Sequence, residues 1–435
     1  MSNDPIGLAL AGLRRLSGST LIDRLRLRKP MDRVIQGGTA VGFRAASQTR
    51  KAFKPLLDLT RPARLKQGAG GDLFDLTLSE DQEMFRDAVR RVVNEQISPA
   101  AHAADTDNAV PAEILQQIHD LGIGLLSVPD EAGGAGSEAV QTTQVIIAEE
   151  LSRGDMAIAL AALAPLSVIN TLVSWGSAAQ QAKYLPVLTG ETYCPATLAV
   201  TEPAALFDPH APATTARRRD GGYVLNGEKS LVPLAESAEL LLVLADVEDL
   251  GPRLFCIEQG SDGLTFRDEP SMGLRAASLG RLRLDDVKVD EEALIAADDF
   301  DLNAFVSRTR IAWSALSVGT CQAVLDYVSD YVKDRKAFGE PIAHRQAVAF
   351  MVANIAIELE GMRLMLWRAA SRAEQGLDYQ REAYLAHLQC SEYAMQIGTD
   401  GVQLLGGHGF ITEHPVERWY RNLRAISVCS NGALI

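Results

Sequence analysis

The hydrophobic period changes twice along this chain, and that change limits the folds open to it more than any single residue does. From "TLSEDQEMFRDAVRRVV", starting at Thr77, to about residue 193 the apolar positions recur at helical spacing. Ser79 with Gln82 three residues on has capping-box spacing, and Met84, Phe85, Ala88, Val89, Val92 and Val93 line one helical face. The grammar then shortens. "GGYVLNGEK", "ELLLVLADV", "RLFCIEQ", "GLTFRDE" and "GRLRLDDVKVD" are short runs bounded by Gly, Asn and Asp, and Arg281 to Leu284 alternates charged with apolar. From about residue 300 the helical period returns. Val348, Met351, Ile355, Leu359, Met362 and Leu366 recur through one long helix, as in a bundle. The pattern predicts an α+β chain: a basic extension over 1–72, a helical domain over 73–195, a β domain over 196–300 and a helical domain over 301–435.

Charge and cysteine usage narrow the function classes. The net charge of -14 conceals an asymmetry. Residues 1–70 hold 14 Lys/Arg against 4 Asp/Glu, a net of +10, so the rest, with 28 basic and 52 acidic residues, is -24. An acidic body argues against a nucleic-acid partner. The basic arm suits an anionic membrane surface or the acidic surface of its own body or another subunit, and its segment "IGLALAGLRRLSGSTLIDRLRLRKP" is too short and too charged to span a bilayer. Cys194, Cys256, Cys321, Cys390 and Cys429 form neither a CxxC pair nor a Cys/His cluster, so no disulfide framework or zinc site is expected. A cytoplasmic, reducing compartment fits best, with peripheral membrane contact through residues 1–70 left open.

Six runs in order carry a family resemblance: "WGSAAQQAKYLPVLTGE", "LAVTEPAALFD", "YVLNGEKS", "MGLRAASLGRLRLDDVKV", "DRKAFGEPIAHRQAVAFMVANIAIELEGMRLMLWRAA" and "QLLGGHGFITEHPVERWYR". Together they make residues 73 to 430 resemble the acyl-CoA dehydrogenase family. The resemblance implies an N-terminal helical domain, a middle β-barrel or sandwich domain and a C-terminal four-helix bundle. It also implies FAD as cofactor and an acyl-CoA thioester as substrate. The reaction would be the α,β-dehydrogenation of fatty acid β-oxidation, in which a carboxylate takes the α-proton and the β-hydrogen leaves as hydride to the flavin. Such a flavin lies between one subunit's β domain and a neighbour's helical bundle, so a homodimer, a homotetramer or a hetero-oligomer with a catalytic homologue is expected.

The two halves of that site differ in this sequence. In the half given to a neighbour, Arg335 resembles the arginine that meets the FAD pyrophosphate, and Phe338, Gln346, Gln403 and Gly407 match positions at the adenosine end. In the half kept for itself, Thr201 survives. The family's Gly-Ala-Gly-Ser, however, is Ala204, Ala205, Leu206 and Phe207, and its Trp and Thr are Leu231 and Pro233. The catalytic Glu has two family positions, occupied here by Ser430 and Thr309, with Arg310 beside the latter as the substrate-side arginine. Ser430 without a partner base does not take a proton near neutral pH. Glu413 and Cys429 are the substitutes within sequence reach, and Cys429 would need a cationic neighbour such as Arg424 to lower its pKa. His408 and His414 are expected at the pocket rim, and Glu417–Arg418 as a structural pair. Three functions stay open: a self-sufficient dehydrogenase with a displaced base, a non-catalytic subunit completing a partner's FAD site, and a flavin monooxygenase or oxidase of the same fold.

Overall fold

The computed structural model describes residues 77–130, 133–135, 140–295 and 299–429. The expectations for the basic arm and for Ser430 therefore lie outside the described residues. The N-terminal domain contains α1 (Glu80–Val92), α2 (Ser98–Asp107), α3 (Ala112–His119), α4 (Val140–Gly154), α5 (Met156–Trp175) and α6 (Ala178–Leu188). Helix α1 starts on the capping box seen in the sequence: Ser79 Oγ accepts the Gln82 amide at 3.2 Å and Gln82 Oε1 accepts the Ser79 amide at 3.1 Å. Its inner face departs from the simple helical reading in one place. Met84 is 63% exposed, whereas Gln82 is buried and also donates to Thr142 and Thr143. A π-helical turn, Val93–Ile97, follows and rotates the buried face so that Val89, Val93 and Ile97 point inward. Helix α5 is long and apolar enough to cross a membrane by composition, but its most apolar window is 89% buried, so its apolar faces are accounted for by packing.

The middle domain is a seven-stranded sheet of β1 (Ala196–Ala199), β2 (Thr215–Arg219), β3 (Gly222–Val232), β4 (Leu240–Val247), β5 (Gly251–Glu258), β6 (Leu264–Asp268) and β7 (Gly280–Asp290). The order is β1-β4-β2-β3-β7-β6, with β5 on the other side of β4. All five runs singled out in the sequence are strands. On β7, Leu282 and Leu284 are buried while Arg281 and Arg283 face outward, as the alternation requires. Two register shifts interrupt the long β3–β7 pair, the second between Lys229 and Val232, where β3 ends at the candidate site.

The C-terminal domain has three long helices and a short fourth: α7 (Leu302–Asp334), α8 (Gln346–Glu374), α9 (Gln380–Leu405) and α10 (Val416–Leu423). A small hairpin, β8 (Lys336–Ala337) and β9 (Glu340–Pro341), joins α7 to α8. Ile355, Leu359, Met362 and Leu366 are the buried stripe of α8. Helix α10 is fastened to the N-terminal domain by a buried ion pair, Arg418 Nε to Asp155 at 2.9 Å. Asp155 is also the N-cap of α5, accepting the amides of Ala157 and Ile158. This pair sets where the chain after α10 can go. It runs through a 3-10 turn, Arg424–Ser427, toward the end of β3.

Candidate active site

The two half-sites can be built separately from the residues. On the β side, the end of β3 is held by one carboxylate that the sequence reading missed. Glu269 accepts from the Leu231 amide at 2.7 Å, from Ser230 Oγ at 2.9 Å and from Arg281 Nε at 2.6 Å. Leu231 has φ 55 and Leu234 φ 52, an uncommon backbone for a branched side chain. Leu231 is half-buried and Pro233 buried, so neither side chain offers a donor at the positions the resemblance gives to Trp and Thr. Opposite this strand end lie Arg421, Arg424, Val428 and Cys429, and the cleft between the two walls holds about 100 Å³. Pockets for drug-sized ligands hold roughly 300 Å³ or more. The walls are also riveted together. Arg421 donates to Asp105, to Glu417 and to the Met272 carbonyl, while Asn422 Oδ1 accepts the Leu274 amide at 2.8 Å.

Thr201 sits beside this wall, its carbonyl accepting the Ser230 amide at 2.9 Å. The next residue, Glu202, joins a second structural pair. It accepts the amides of Ala213 and Thr214 and receives Lys229 Nζ at 2.7 Å, where Lys229 is fully buried. Burial alone would raise the Glu202 pKa; the Lys229 charge and the Thr214 bonds outweigh it and hold the carboxyl below its usual range. This carboxylate anchors the fold and is not free to take a proton.

Thr309, Cys429 and Glu413 are the candidate base positions among the described residues. Thr309 is fully buried and its hydroxyl donates to the Val306 carbonyl at 2.8 Å, a bond within α7. Burial, with the Glu269 charge adding to it, pushes the Cys429 thiol up to about 12. The charge that acts on it is an anion, which opposes the thiolate. Glu413 is exposed in the turn before α10, whereas the cleft lies past the other end of that helix, about 12 Å further on for eight residues. Arg310 is half-buried on α7 with its guanidinium 5.2 Å from the Tyr384 ring, and burial lowers its pKa. Glu417 and Arg418 form structural pairs with Arg421 and Asp155.

The half offered to a neighbour is built differently. Arg335 is exposed where α7 ends, and its guanidinium meets no carboxylate among the described residues. Its carbonyl accepts the Ile342 amide at 2.9 Å, which pins the hairpin that follows. The hairpin turn has φ 56 at Phe338 and φ 88 at Gly339, a pair of left-handed residues typical of two-residue β-turns. Phe338 is 95% exposed, with the Arg345 guanidinium 5.5 Å from its ring centroid. Gln346 opens α8, Gln403 lies in the last turn of α9, and both are exposed. At Gly407 an added Cβ would meet nothing within 4 Å, so the chain's own packing does not demand a glycine there. His408 and His414 stack edge to face at 5.7 Å, and His414 packs on Tyr331 at 5.8 Å, which sets this turn beside the last turns of α7. His414 Nδ1 also shares a 2.6 Å hydrogen bond with the Tyr327 hydroxyl, a packing role at the rim.

Comparison with known proteins bears directly on this arrangement. The acyl-CoA dehydrogenase N-terminal, middle and C-terminal domain families match residues 79–191, 197–287 and 302–431. The chain belongs to the acyl-CoA dehydrogenase family. It is 33% identical over 363 residues to cyclohex-1-ene-1-carbonyl-CoA dehydrogenase of Geobacter metallireducens, covering 81% of this chain and 94% of that protein. It is 30% identical over 365 residues to the human mitochondrial short-chain specific acyl-CoA dehydrogenase, covering 81% and 87%. Among solved structures, butyryl-CoA dehydrogenase from Megasphaera elsdenii superposes with a TM-score of 0.76 at 26% identity, covering 82% of this chain and 96% of that one. Acyl-CoA dehydrogenases are FAD-dependent oxidoreductases acting on acyl-CoA thioesters. For FAD, the half-site on the bundle of this acyl-CoA dehydrogenase fits by donor type and openness. On its own β domain, Leu231 and Pro233 stand at the positions the resemblance gives to Trp and Thr and offer no side-chain donor there.

Proposed function

We propose that this chain is the non-catalytic subunit of a hetero-oligomeric acyl-CoA dehydrogenase, and that it completes the FAD site of a catalytic homologue. The observation that carries the reading is the contrast between its two half-sites. Among the described residues, one presents an Arg335 that meets no carboxylate, an exposed Phe338 and Gln346 and Gln403 side chains with no bonded partner; in the other, Leu231 and Pro233 offer no donor and the Cys429 thiol is pushed up to about 12. Bound FAD supplies the hydride acceptor for fatty acyl-CoA α,β-dehydrogenation in the partner. The residues of this chain bind and orient. Arg335 offers a charged fork to a diphosphate, Phe338 an aromatic face to a purine, and the two glutamines donors or acceptors to the adenosine end.

Against the self-sufficient dehydrogenase stand the Thr309 hydroxyl, which is bonded within α7, and the Cys429 thiol, which is pushed up to about 12. The monooxygenase or oxidase reading loses support because it too needs a flavin held by the chain's own β domain. The proposal includes a reducing, cytoplasmic setting, supported by five cysteines that are buried and free. Membrane contact through residues 1–70 is a separate question, answered by lipid co-sedimentation with and without that arm.

The test is to purify the chain alone and together with an acyl-CoA dehydrogenase-family partner, then record flavin content and anaerobic bleaching by acyl-CoA. The expected result is no flavin on the lone chain and, in the complex, FAD at half the molar amount of chains. Bleaching of flavin held by the lone chain would sink the proposal.

A further inference from the structure

The residue that opens α8 is one that a helix start does not favour. Arg345 is the N-cap of this 29-residue helix, with φ -80 and ψ 122, and its side chain makes no cap bond. Ser, Thr, Asp and Asn are the residues that cap, and a cation there faces the positive end of the helix dipole. The chain directs the arginine elsewhere. Ile342–His344 form a 3-10 turn, in which the Ile342 amide donates to the Arg335 carbonyl at 2.9 Å and the Arg345 amide to the Ile342 carbonyl at 3.0 Å. This turn brings Arg345 back to the β8–β9 hairpin. There its guanidinium meets Glu340 on β9 at 3.1 Å and stands over the Phe338 ring, 5.5 Å from the centroid. Glu340 also shares a 3.4 Å hydrogen bond with His344 Nδ1. Phe338 itself is 95% exposed at φ 56, an apolar ring on a costly backbone with no shelter from water. An unsuited cap, a carboxylate and a bare ring thus share one chain of contacts. A local rule broken in this way points to a gain elsewhere.

We propose that Glu340 and Arg345 are positioning residues. Together they form a strut that fixes the Phe338 ring, covering one face with the guanidinium and leaving the other open to the purine of FAD. This inference rests on the reading of the chain as a subunit that completes a partner's FAD site, and deepens it. A cation over an aromatic face is attracted by the ring quadrupole. The ion pair with Glu340 holds that cation in place, although both side chains are nearly half exposed. The ring then enters binding already ordered, so less rotamer freedom is lost when a purine stacks on it. The two arginines of the half-site thereby have separate tasks. Arg335 meets no carboxylate among the described residues and is left to the diphosphate, whereas Arg345 is engaged by Glu340 and serves the ring.

The experiment uses the full chain in complex with its family partner, stripped of flavin and titrated with FAD. Arg345→Leu and Glu340→Gln are each expected to weaken FAD binding by about two- to fivefold, and Arg345→Lys should recover most of the loss. In a Phe338→Leu background neither change should add to the loss. Tighter binding in Glu340→Gln would mean that the freed guanidinium reaches the dinucleotide itself, and it overturns the strut. Unchanged binding in both variants overturns it as well. A second readout needs no flavin. With para-fluorophenylalanine in place of Phe338 in the lone chain, Arg345→Leu and Glu340→Gln should each shift the fluorine NMR resonance. The melting temperature should stay unchanged, since Phe338 and Arg345 are exposed. A resonance that does not move refutes the contact. FAD stoichiometry separates the two ideas: half occupancy with unaltered affinity defeats only the strut, whereas one FAD on every chain defeats the non-catalytic reading beneath it.

Discussion

Replacing Arg418 with Met tests the contact that positions the whole tail of the site. Asp155 and Arg418 are both buried, and three bonds converge on the carboxylate: Ala157 N at 2.9 Å, Ile158 N at 3.1 Å and Arg418 Nε at 2.9 Å. Removing the guanidinium leaves a charge in the interior with only its helix-capping bonds. Breaking one side of a buried pair in this way costs about 3–5 kcal/mol, against about 1 kcal/mol for the cap alone. Asp155→Asn keeps an oxygen for the cap but turns an amide toward the guanidinium, so it too should destabilise. Combined, the two changes place a neutral amide beside an apolar side chain, and the loss should be smaller than the sum by about 2 kcal/mol or more. Urea titrations of the four proteins, followed by far-UV circular dichroism, read the cycle as shifts of the midpoint at constant slope. Additive losses would refute the reasoning, because they would mean that Arg418 does not neutralise Asp155 and that α10 is held by something else.

Three further outcomes are expected. Glu269→Gln removes the charge that accepts the Leu231 amide, so hydrogen exchange at Leu231 should speed up by roughly 10- to 100-fold, and unchanged protection would show that the carboxylate does not hold the end of β3. His387 has its pKa pushed down to about 4 by burial and by the Arg310 charge. The unfolded chain therefore takes up a proton between pH 6.5 and 4 that the folded one refuses, and stability falls as pH drops through that window. The size is at most about 3 kcal/mol, from 2.5 pH units at 1.36 kcal/mol each, and melts of His387→Phe from pH 7 to 4 should lack this share of the slope. Arg335→Gln should weaken FAD retention by the hetero-oligomer about 10- to 100-fold while leaving the melting temperature of the lone chain unchanged, since its guanidinium is exposed and meets no carboxylate among the described residues. Equal retention in both proteins would remove Arg335 from the site.

What the chain discloses by itself follows from the range of the forces involved. The α1 capping box, the five strand runs and the buried stripe of α8 depend on neighbours two to seven positions away, so their spacing is visible in one dimension. The family motifs were equally legible, and the three domain families match the same stretches. Long-range contacts decided the rest. Gln82 displaced Met84 from the inner face because its side chain had threonines on α4 to bond. Glu269 closed the β3 end across 38 residues of sequence, with no periodic signal to announce it. Cys429 lies five residues from Arg424, yet the charge that acts on its thiol belongs to Glu269, 160 positions away. Periodicity and motif determine which elements form and which residues arrive at a site. Whether a carboxyl or thiol there can hold or release a proton depends on burial and on the charge across the cleft, which exist only once the chain has packed.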